Sequence, residues 1–385
     1  MLSRRRFLQT LGMGAAAGAA LASAPFSLEA FEPSRHGVAV DARSALGAAR
    51  ANAVLLNSNE NAYGAPPKVA EVMQQALTWA NRYPDFDYDS LVWEISDLHK
   101  VKTHQVITGC GSTEILRVSA VSFLGPGKKL IVASPTFEAI AAYAHPTGAQ
   151  VVQVPLTSSY AHDLDAMLAQ TATAPSLIYI CNPNNPTASL TPRKDLDAFM
   201  AKLPSHSYVL IDEAYHHFAM DAPDYTSFLD QPSDNPRVIV ARTFSKIYGM
   251  AGIRLGYGVT SAETAQLMRR FQLQDNVNMV AAQAGVAALQ DVDTMHASAR
   301  RNAADRSEFF SQASRRGLKP IPSYANFVMM DAGRPATQAM AFFKQNGILI
   351  GRRFPPMNNF VRVSLGTPPQ MQQFWSVWDQ MKGVS

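Results

Sequence analysis

Six short runs rich in β-branched residues, separated by longer helical patterns, constrain this chain more than any other feature. They are Gln105 to Thr108, Lys129 to Ala133, Gln150 to Val154, Leu177 to Cys181, Tyr208 to Ile211 and Val238 to Ala241. Such alternation predicts an α/β fold with a mostly parallel, helix-covered sheet. Five of the runs lead into loops of unusual chemistry: Gly109-Cys-Gly-Ser-Thr-Glu114, Pro135-Thr-Phe137, Asn182-Pro-Asn-Asn-Pro-Thr187, Asp212-Glu-Ala-Tyr215 and Arg242-Thr-Phe-Ser-Lys246. Open α/β sheets bind ligands beyond the carboxyl ends of their strands, so these five loops are expected to meet at one crevice. With 385 residues, 47% of them apolar, the chain can bury a large core and make two domains. From about residue 265 the composition turns helical and Ala/Gln/Met-rich, with short strands expected at Asn326 to Met330, around Ile348 to Gly351 and at Phe360 to Ser364. The expected organisation is a leader at 1–30, an N-terminal arm and substrate-side loop at 31–75, a large domain at 76–262 and a smaller α+β domain at 263–385.

The loops then ask what ligand would need them. Gly111, Ser112 and Thr113 open a helix expected over Ser112 to Phe123, where free N–H groups and the helix dipole favour an anion. Alone, that turn is as compatible with a plain strand-to-helix connection as with a phosphate cup. Thr243, Ser245 and Arg254 add hydroxyl and guanidinium donors. Asp212 ends an apolar strand and would be a buried carboxylate, costly unless it meets a cation. Lys246 stands between Phe244 and Ile247, a partly apolar setting that lowers an amine's pKa and suits it to Schiff-base chemistry. Lysine, carboxylate, phosphate cup, an aromatic after Pro-Thr and an amide in Asn-Asn-Pro-Thr together describe one cofactor, pyridoxal 5′-phosphate.

The motifs LNSNENAYG (56 to 64), NRYPD (81 to 85), GCGSTEIL (109 to 116), SPTF (134 to 137), NPNNPT (182 to 187), IDEAY (211 to 215), TFSKIYGMAGIRLGY (243 to 257) and VRVSLGT (361 to 367) resemble the class I/II, fold-type I aminotransferases. Their order and identity are most similar to the histidinol-phosphate aminotransferase subfamily. The resemblance implies a large domain with a mostly parallel central sheet and a smaller C-terminal α+β domain. It implies that Lys246 holds the cofactor as a Schiff base and moves the substrate's α-proton, that Asp212 faces the pyridine nitrogen, and that Asn185 and Tyr215 bond the ring's 3′-oxygen. Phe137 would stack on the ring, and Gly111, Ser112, Thr113, Thr243, Ser245 and Arg254 would surround the phosphate. Tyr83 matches a position that reaches the phosphate across a subunit boundary, which implies a homodimer. Arg362 would fork onto the substrate carboxylate, with Asn61 and Tyr63 on the substrate side. Two departures stand out. Ala188 replaces the usual Gly after Asn-Pro-Thr, so that turn must avoid positive φ or strain a methyl group. Gly351-Arg352-Arg353 shifts a distal arginine by one residue, which leaves the substrate open between histidinol phosphate and an amino acid or amine with an aromatic or otherwise bulky side chain.

The net charge of +4 first suggests a nucleic-acid or membrane-surface protein. Three of the positive charges are Arg4, Arg5 and Arg6, no acid precedes Glu29, and a chain starting near residue 25 would carry +1. Ser3-Arg-Arg-Arg-Phe-Leu8, the uncharged stretch to Ala24 and its Ala-Ser-Ala end resemble a twin-arginine signal. That implies export of the folded protein to the periplasm by the twin-arginine machinery. The apolar part is shorter than the ~20 residues that span a bilayer, so no stable anchor is expected, and no nucleic-acid partner is. Cys110 and Cys181 are expected as buried thiols on neighbouring strands, with a disulfide open after export. His216 and His217, adjacent and on a strand, would face opposite sides and make no metal site.

The function expected is transfer of an amino group between an amino acid, or an amino-acid-like amine, and a 2-oxo acid by a ping-pong cycle. Decarboxylation or β-elimination would use the same cofactor contacts, and a non-catalytic binding protein on this scaffold is the reading from a different class.

Overall fold

The computed structural model describes residues 53–230 and 235–383; the expected leader and the arm up to residue 52 lie outside the described residues. Among these, the strands are β1 (Val54–Leu56), β2 (Val106–Cys110), β3 (Lys129–Ser134), β4 (Gln150–Pro155), β5 (Ser176–Cys181), β6 (Ser207–Asp212), β7 (Val238–Thr243), β8 (Leu255–Val259), β9 (Phe327–Asp331), β10 (Ile348–Ile350) and β11 (Phe360–Ser364). Strands β2 to β8 form one sheet in the order β2-β8-β7-β6-β5-β3-β4. All run parallel except β8, which is antiparallel to both its neighbours. The carboxyl ends of β2, β3, β5, β6 and β7 therefore lie along one edge.

Side-chain alternation explains why the sheet is covered twice. Ile178, Ile180, Val209, Ile211, Val238 and Val240 enter the core on one face. Leu177, Tyr179, Leu210, Ile239 and Ala241 enter the core on the other. Successive residues of a strand point to opposite faces, so near-continuous apolar runs mark a sheet with helices on both sides. The helix Ser112–Phe123, at the bounds expected, buries Ile115, Leu116 and Phe123 in the second core. Helices Ala262–Arg269 and Met279–Gln290 also pack on this sheet, through Met268 on one face and Ala281 and Ala284 on the other. The compositional change near residue 265 is thus not a change of packing partner. A third core, with Phe309, Phe343, Phe374 and Trp378, underlies the two-stranded pairs β1-β10 (parallel) and β9-β11 (antiparallel).

Three local expectations are corrected. Strands β2 and β5 are not neighbours, because β8, β7 and β6 lie between them. At ~4.8 Å per strand their ends are roughly 19 Å apart, far beyond disulfide reach, and both cysteines are free. Cys181 is buried, but Cys110, the last residue of its strand, is exposed. His216 and His217 sit in a 3₁₀ turn, His216–Phe218, and not on a strand. Their rings lie 4.8 Å apart, with His216 Nδ1 3.0 Å from the Tyr225 hydroxyl and His217 Nε2 3.3 Å from the Tyr248 hydroxyl.

The turn at Ala188 does not avoid positive φ. Ala188 has φ 58°, its N–H donates to Asn184 O at 2.7 Å and its carbonyl accepts from Tyr324 N at 2.8 Å. A left-handed alanine costs about 1–2 kcal/mol, and its fully buried methyl returns roughly 0.8 kcal/mol. The burial offsets part of that cost, so alanine is tolerated here at a net penalty of roughly 1 kcal/mol or less.

Candidate active site

A cleft of about 580 Å³ opens at the carboxyl edge of the large sheet. Ser112 and Thr113 follow β2, Phe137 follows β3, Asn185 follows β5, Asp212 and Tyr215 end and follow β6, and Thr243, Ser245 and Lys246 end and follow β7; all nine line it, with Arg254 before β8 and Arg362 on β11. The five loops meet as the alternation implies. Gly111 sits immediately beneath, at the start of the helix Ser112–Phe123.

At one end the groups form an anion cup. Arg254 Nη1 donates to Ser245 Oγ at 3.3 Å and to Ala251 O at 2.8 Å, and its Nη2 donates to Thr113 Oγ1 at 3.4 Å. Thr243 Oγ1 donates to Ser245 Oγ at 3.0 Å. No side chain among the described residues caps the helix, so its first N–H groups have no side-chain partner there. Space for a ligand is kept by glycine: at Gly111, φ 79°, a Cβ would lie 2.2 Å from Arg254 Nη2. At Gly256, on β8, a Cβ would lie 2.2 Å from the Ser112 backbone N, so any larger residue there would displace the start of the helix.

At the floor, two acids adjacent in sequence have different fates. Glu213 is satisfied by Arg242 Nε at 2.8 Å, Ser227 Oγ at 2.7 Å and the Phe228 N–H at 2.9 Å. Asp212, 3% exposed, accepts among the described residues from neutral donors, the Tyr179 hydroxyl at 2.8 Å and the Ala214 N–H at 3.1 Å. Burial pushes its carboxyl up to about 6, while those hydrogen bonds and Lys246 hold it down. A buried carboxylate that lines a cavity and forms no ion pair among the described residues suits a cationic group on a ligand. Lys246 Nζ donates to Asn59 O at 3.1 Å and Ser58 O at 3.4 Å. Burial first, then the Arg362 charge, lower its amine to about 8. Tyr215 accepts from Asn59 Nδ2 at 2.9 Å; burial raises its pKa, so the hydroxyl keeps its proton.

Arg362 is 7% exposed. Its Nη1 donates to Asn185 Oδ1 and its Nη2 to Asn57 O, both at 2.7 Å, and its Nε has no partner among the described residues. Burial lowers it to about 10, still charged at neutral pH and paired with no carboxylate among the described residues. An unpaired, nearly buried guanidinium in a cleft suits a ligand carboxylate.

Tyr83, Asn61 and Tyr63 are not among the lining residues. Tyr83 is 78% exposed. Asn61 Nδ2 donates to Ile247 O at 2.9 Å and Tyr63 OH to Asp305 Oδ2 at 3.0 Å, so in this chain both brace the loop outside the cleft. Their neighbours Asn57, Ser58, Asn59 and Glu60 line it instead, as do Glu138 and Arg352. Asn59, with φ 54°, ties the Lys246 amine, the Tyr215 hydroxyl and the Ser364 hydroxyl, its N–H donating to Ser364 Oγ at 2.8 Å. Its place in the Asn-rich 57–61 segment was the available signal.

These residues fit pyridoxal 5′-phosphate. The cup would take the dianion, Asp212 would face the protonated ring nitrogen and Lys246 would meet the aldehyde; the bound cofactor would supply an electron-withdrawing ring that acidifies a substrate's α-carbon. Residues 51–377 match the family described as Aminotransferase class I and II, and the chain belongs to that family. It is therefore a pyridoxal-phosphate-dependent aminotransferase. It is 35% identical to histidinol-phosphate aminotransferase 2 of Methylococcus capsulatus over 85% of this chain and 90% of that protein. The crystal structure of histidinol-phosphate aminotransferase from Sinorhizobium meliloti in complex with pyridoxal-5′-phosphate is similar at TM-score 0.80 and 26% identity, covering 94% of this chain and 99% of that one. L-threonine-O-3-phosphate decarboxylase from Porphyromonas gingivalis shares the fold at TM-score 0.75 and 20% identity, over 86% of this chain and 99% of that chain.

Proposed function

We propose that the chain transfers the amino group of an amino acid or amine with an aromatic or otherwise bulky side chain to a 2-oxo acid, in two half-reactions at one site. The observation that carries this is the unpaired Arg362 in the same cleft as the Lys246 amine and the Asp212 carboxylate. In this reading Arg362 fixes the substrate carboxylate, which leaves the α-carbon within reach of Lys246. Lys246 Nζ then takes the α-proton, and Asn185 and Tyr215 hold the ring's 3′-oxygen. Met340 and Ile350 give the cleft an apolar wall, and Arg352 is paired with Glu138, which supports a bulky uncharged side chain over histidinol phosphate. A panel of amino donors assayed against 2-oxoglutarate and pyruvate tests this: aromatic and bulky donors should give the highest kcat/KM. Histidinol phosphate at the top of the panel would contradict it.

Two further features belong to the proposal. Leu77, Trp79, Phe86 and Trp93 are 61%, 59%, 88% and 62% exposed around Tyr83, which supports a homodimer in which Tyr83 reaches the partner's phosphate cup. Sedimentation at the mass of one chain would count against it. The Ser3 to Leu8 pattern supports export to the periplasm by the twin-arginine route, carrying a cytoplasmically loaded cofactor in the folded protein. An Arg4→Lys/Arg5→Lys variant should stay in the cytoplasm.

A further inference from the structure

Of the cationic side chains lining the cleft, Lys246, Arg254 and Arg362 each have a use in the site described above. Arg352 does not. It follows β10, and its Nη2 is paired with Glu138 Oε1 across the cleft. Its guanidinium lies 4.3 Å from the centre of the Phe354 ring, and that of Arg362 lies 4.7 Å from the same ring. The two guanidinium carbons are thus no further apart than these distances laid end to end, about 9 Å. Arg362 is 7% exposed, whereas the Arg352 side chain is 41% exposed, so Arg352 stands nearer the mouth. Both guanidiniums line the same cleft, so a ligand seated by one carboxylate on Arg362 and long enough to reach the mouth would bring its other end to Arg352.

Alone, Arg352 would make that end of the cleft a second anion site. Glu138 prevents this. It directly follows Phe137, and although it sits at the cap position of the short helix Ala139–Ala144, its side chain makes no capping hydrogen bond. Its carboxylate is spent on Arg352. We infer that Glu138 is a specificity-determining residue: by occupying Arg352 it selects amino donors and 2-oxo acids whose far end is uncharged over those that end in a second carboxylate or a phosphate. A distal anion must displace Glu138 and then remain beside its negative charge, while an aromatic or aliphatic end leaves the pair intact. Partly exposed ion pairs are held weakly, so the selection acts through this competition and its like-charge repulsion rather than through a rigid wall. The inference rests on the reading that Arg362 seats a substrate carboxylate.

The test uses the purified holoenzyme and two unreactive acids measured as competitive inhibitors and by calorimetry. Glutarate carries a second carboxylate; 3-phenylpropionate carries an uncharged ring. Glu138→Gln should tighten glutarate about fivefold or more, the scale of one freed charge-assisted contact, and change 3-phenylpropionate less than about twofold. Glu138→Gln/Arg352→Gln should lose the gain. Glutarate affinity unchanged in Glu138→Gln, or both acids tightening alike, would overturn the role of Glu138 while leaving the Arg362 reading standing. If neither acid binds the wild type or any variant, the carboxylate site at Arg362 fails, and this inference with it.

Discussion

Lys246→Ala is expected to lower kcat/KM for transamination by about four powers of ten or more, because it removes both the cofactor tether and the group that moves the α-proton. Its distinctive signature is in pH. In the cofactor-free wild type, the rate of capture of pyridoxal 5′-phosphate should rise as pH passes about 8, the value to which burial and Arg362 lower the Lys246 amine, and level off above it. The sign follows from chemistry: only the neutral amine attacks an aldehyde, and it becomes the major form above its pKa. At pH 7 about one amine in ten is then neutral, against fewer than about one in a thousand for a lysine at its ordinary 10.5. Stopped-flow absorbance of cofactor capture measures this directly. A rate still climbing at pH 10 would mean that the cleft does not tune the amine. A pH-independent slow capture is expected in the alanine variant.

Asp212→Asn is expected to lower kcat about a hundred- to a thousandfold with little change in Tm. The substitution keeps the shape of the group and loses only its charge, so it isolates the electrostatic task of holding a proton on the ring nitrogen. The Tyr179 hydroxyl can reorient toward the new amide, since a hydroxyl both donates and accepts. Asp212→Ala should do more damage, because the buried Tyr179 hydroxyl and the Ala214 N–H lose their acceptor, a cost of about 1–3 kcal/mol in stability. If Asp212→Asn kept wild-type kcat, the carboxylate would be structural. Glu213, already satisfied by Arg242, Ser227 and Phe228, predicts the contrasting behaviour, in which substitution destabilises the fold first.

Much of this site was legible before any coordinate. Loops after apolar strands converge by topology, so Ser112, Asn185, Asp212 and Lys246 needed only the alternation of runs to be placed together. What escaped was set by contacts distant in sequence. Strand β8 carries glycines at 256 and 258 to let the helix Ser112–Phe123 lie against it, and those glycines erase the β-branched pattern that would announce a strand. Arg352 stands out in the sequence as a shifted distal arginine, but its partner Glu138 is 214 residues away and is not unusual in its own segment. Asn59 draws its importance from its carbonyl and amide partners on Lys246 and Tyr215, a relation that residue type alone does not encode. Cys110 is exposed because it ends its strand, and its separation from Cys181 follows from the β8, β7 and β6 strands lying between β2 and β5, an order the chain sequence does not encode.

The central claim, that this cleft moves an amino group in two separate half-reactions, is tested most directly by a single-turnover measurement. Purified enzyme loaded with cofactor is mixed with an excess of a competent amino donor and no 2-oxo acid, and the products are counted. One equivalent of the donor's 2-oxo acid per chain is expected, after which the reaction stops until an acceptor is added. Continuous release of CO₂, or of ammonia together with pyruvate, without any acceptor would contradict it.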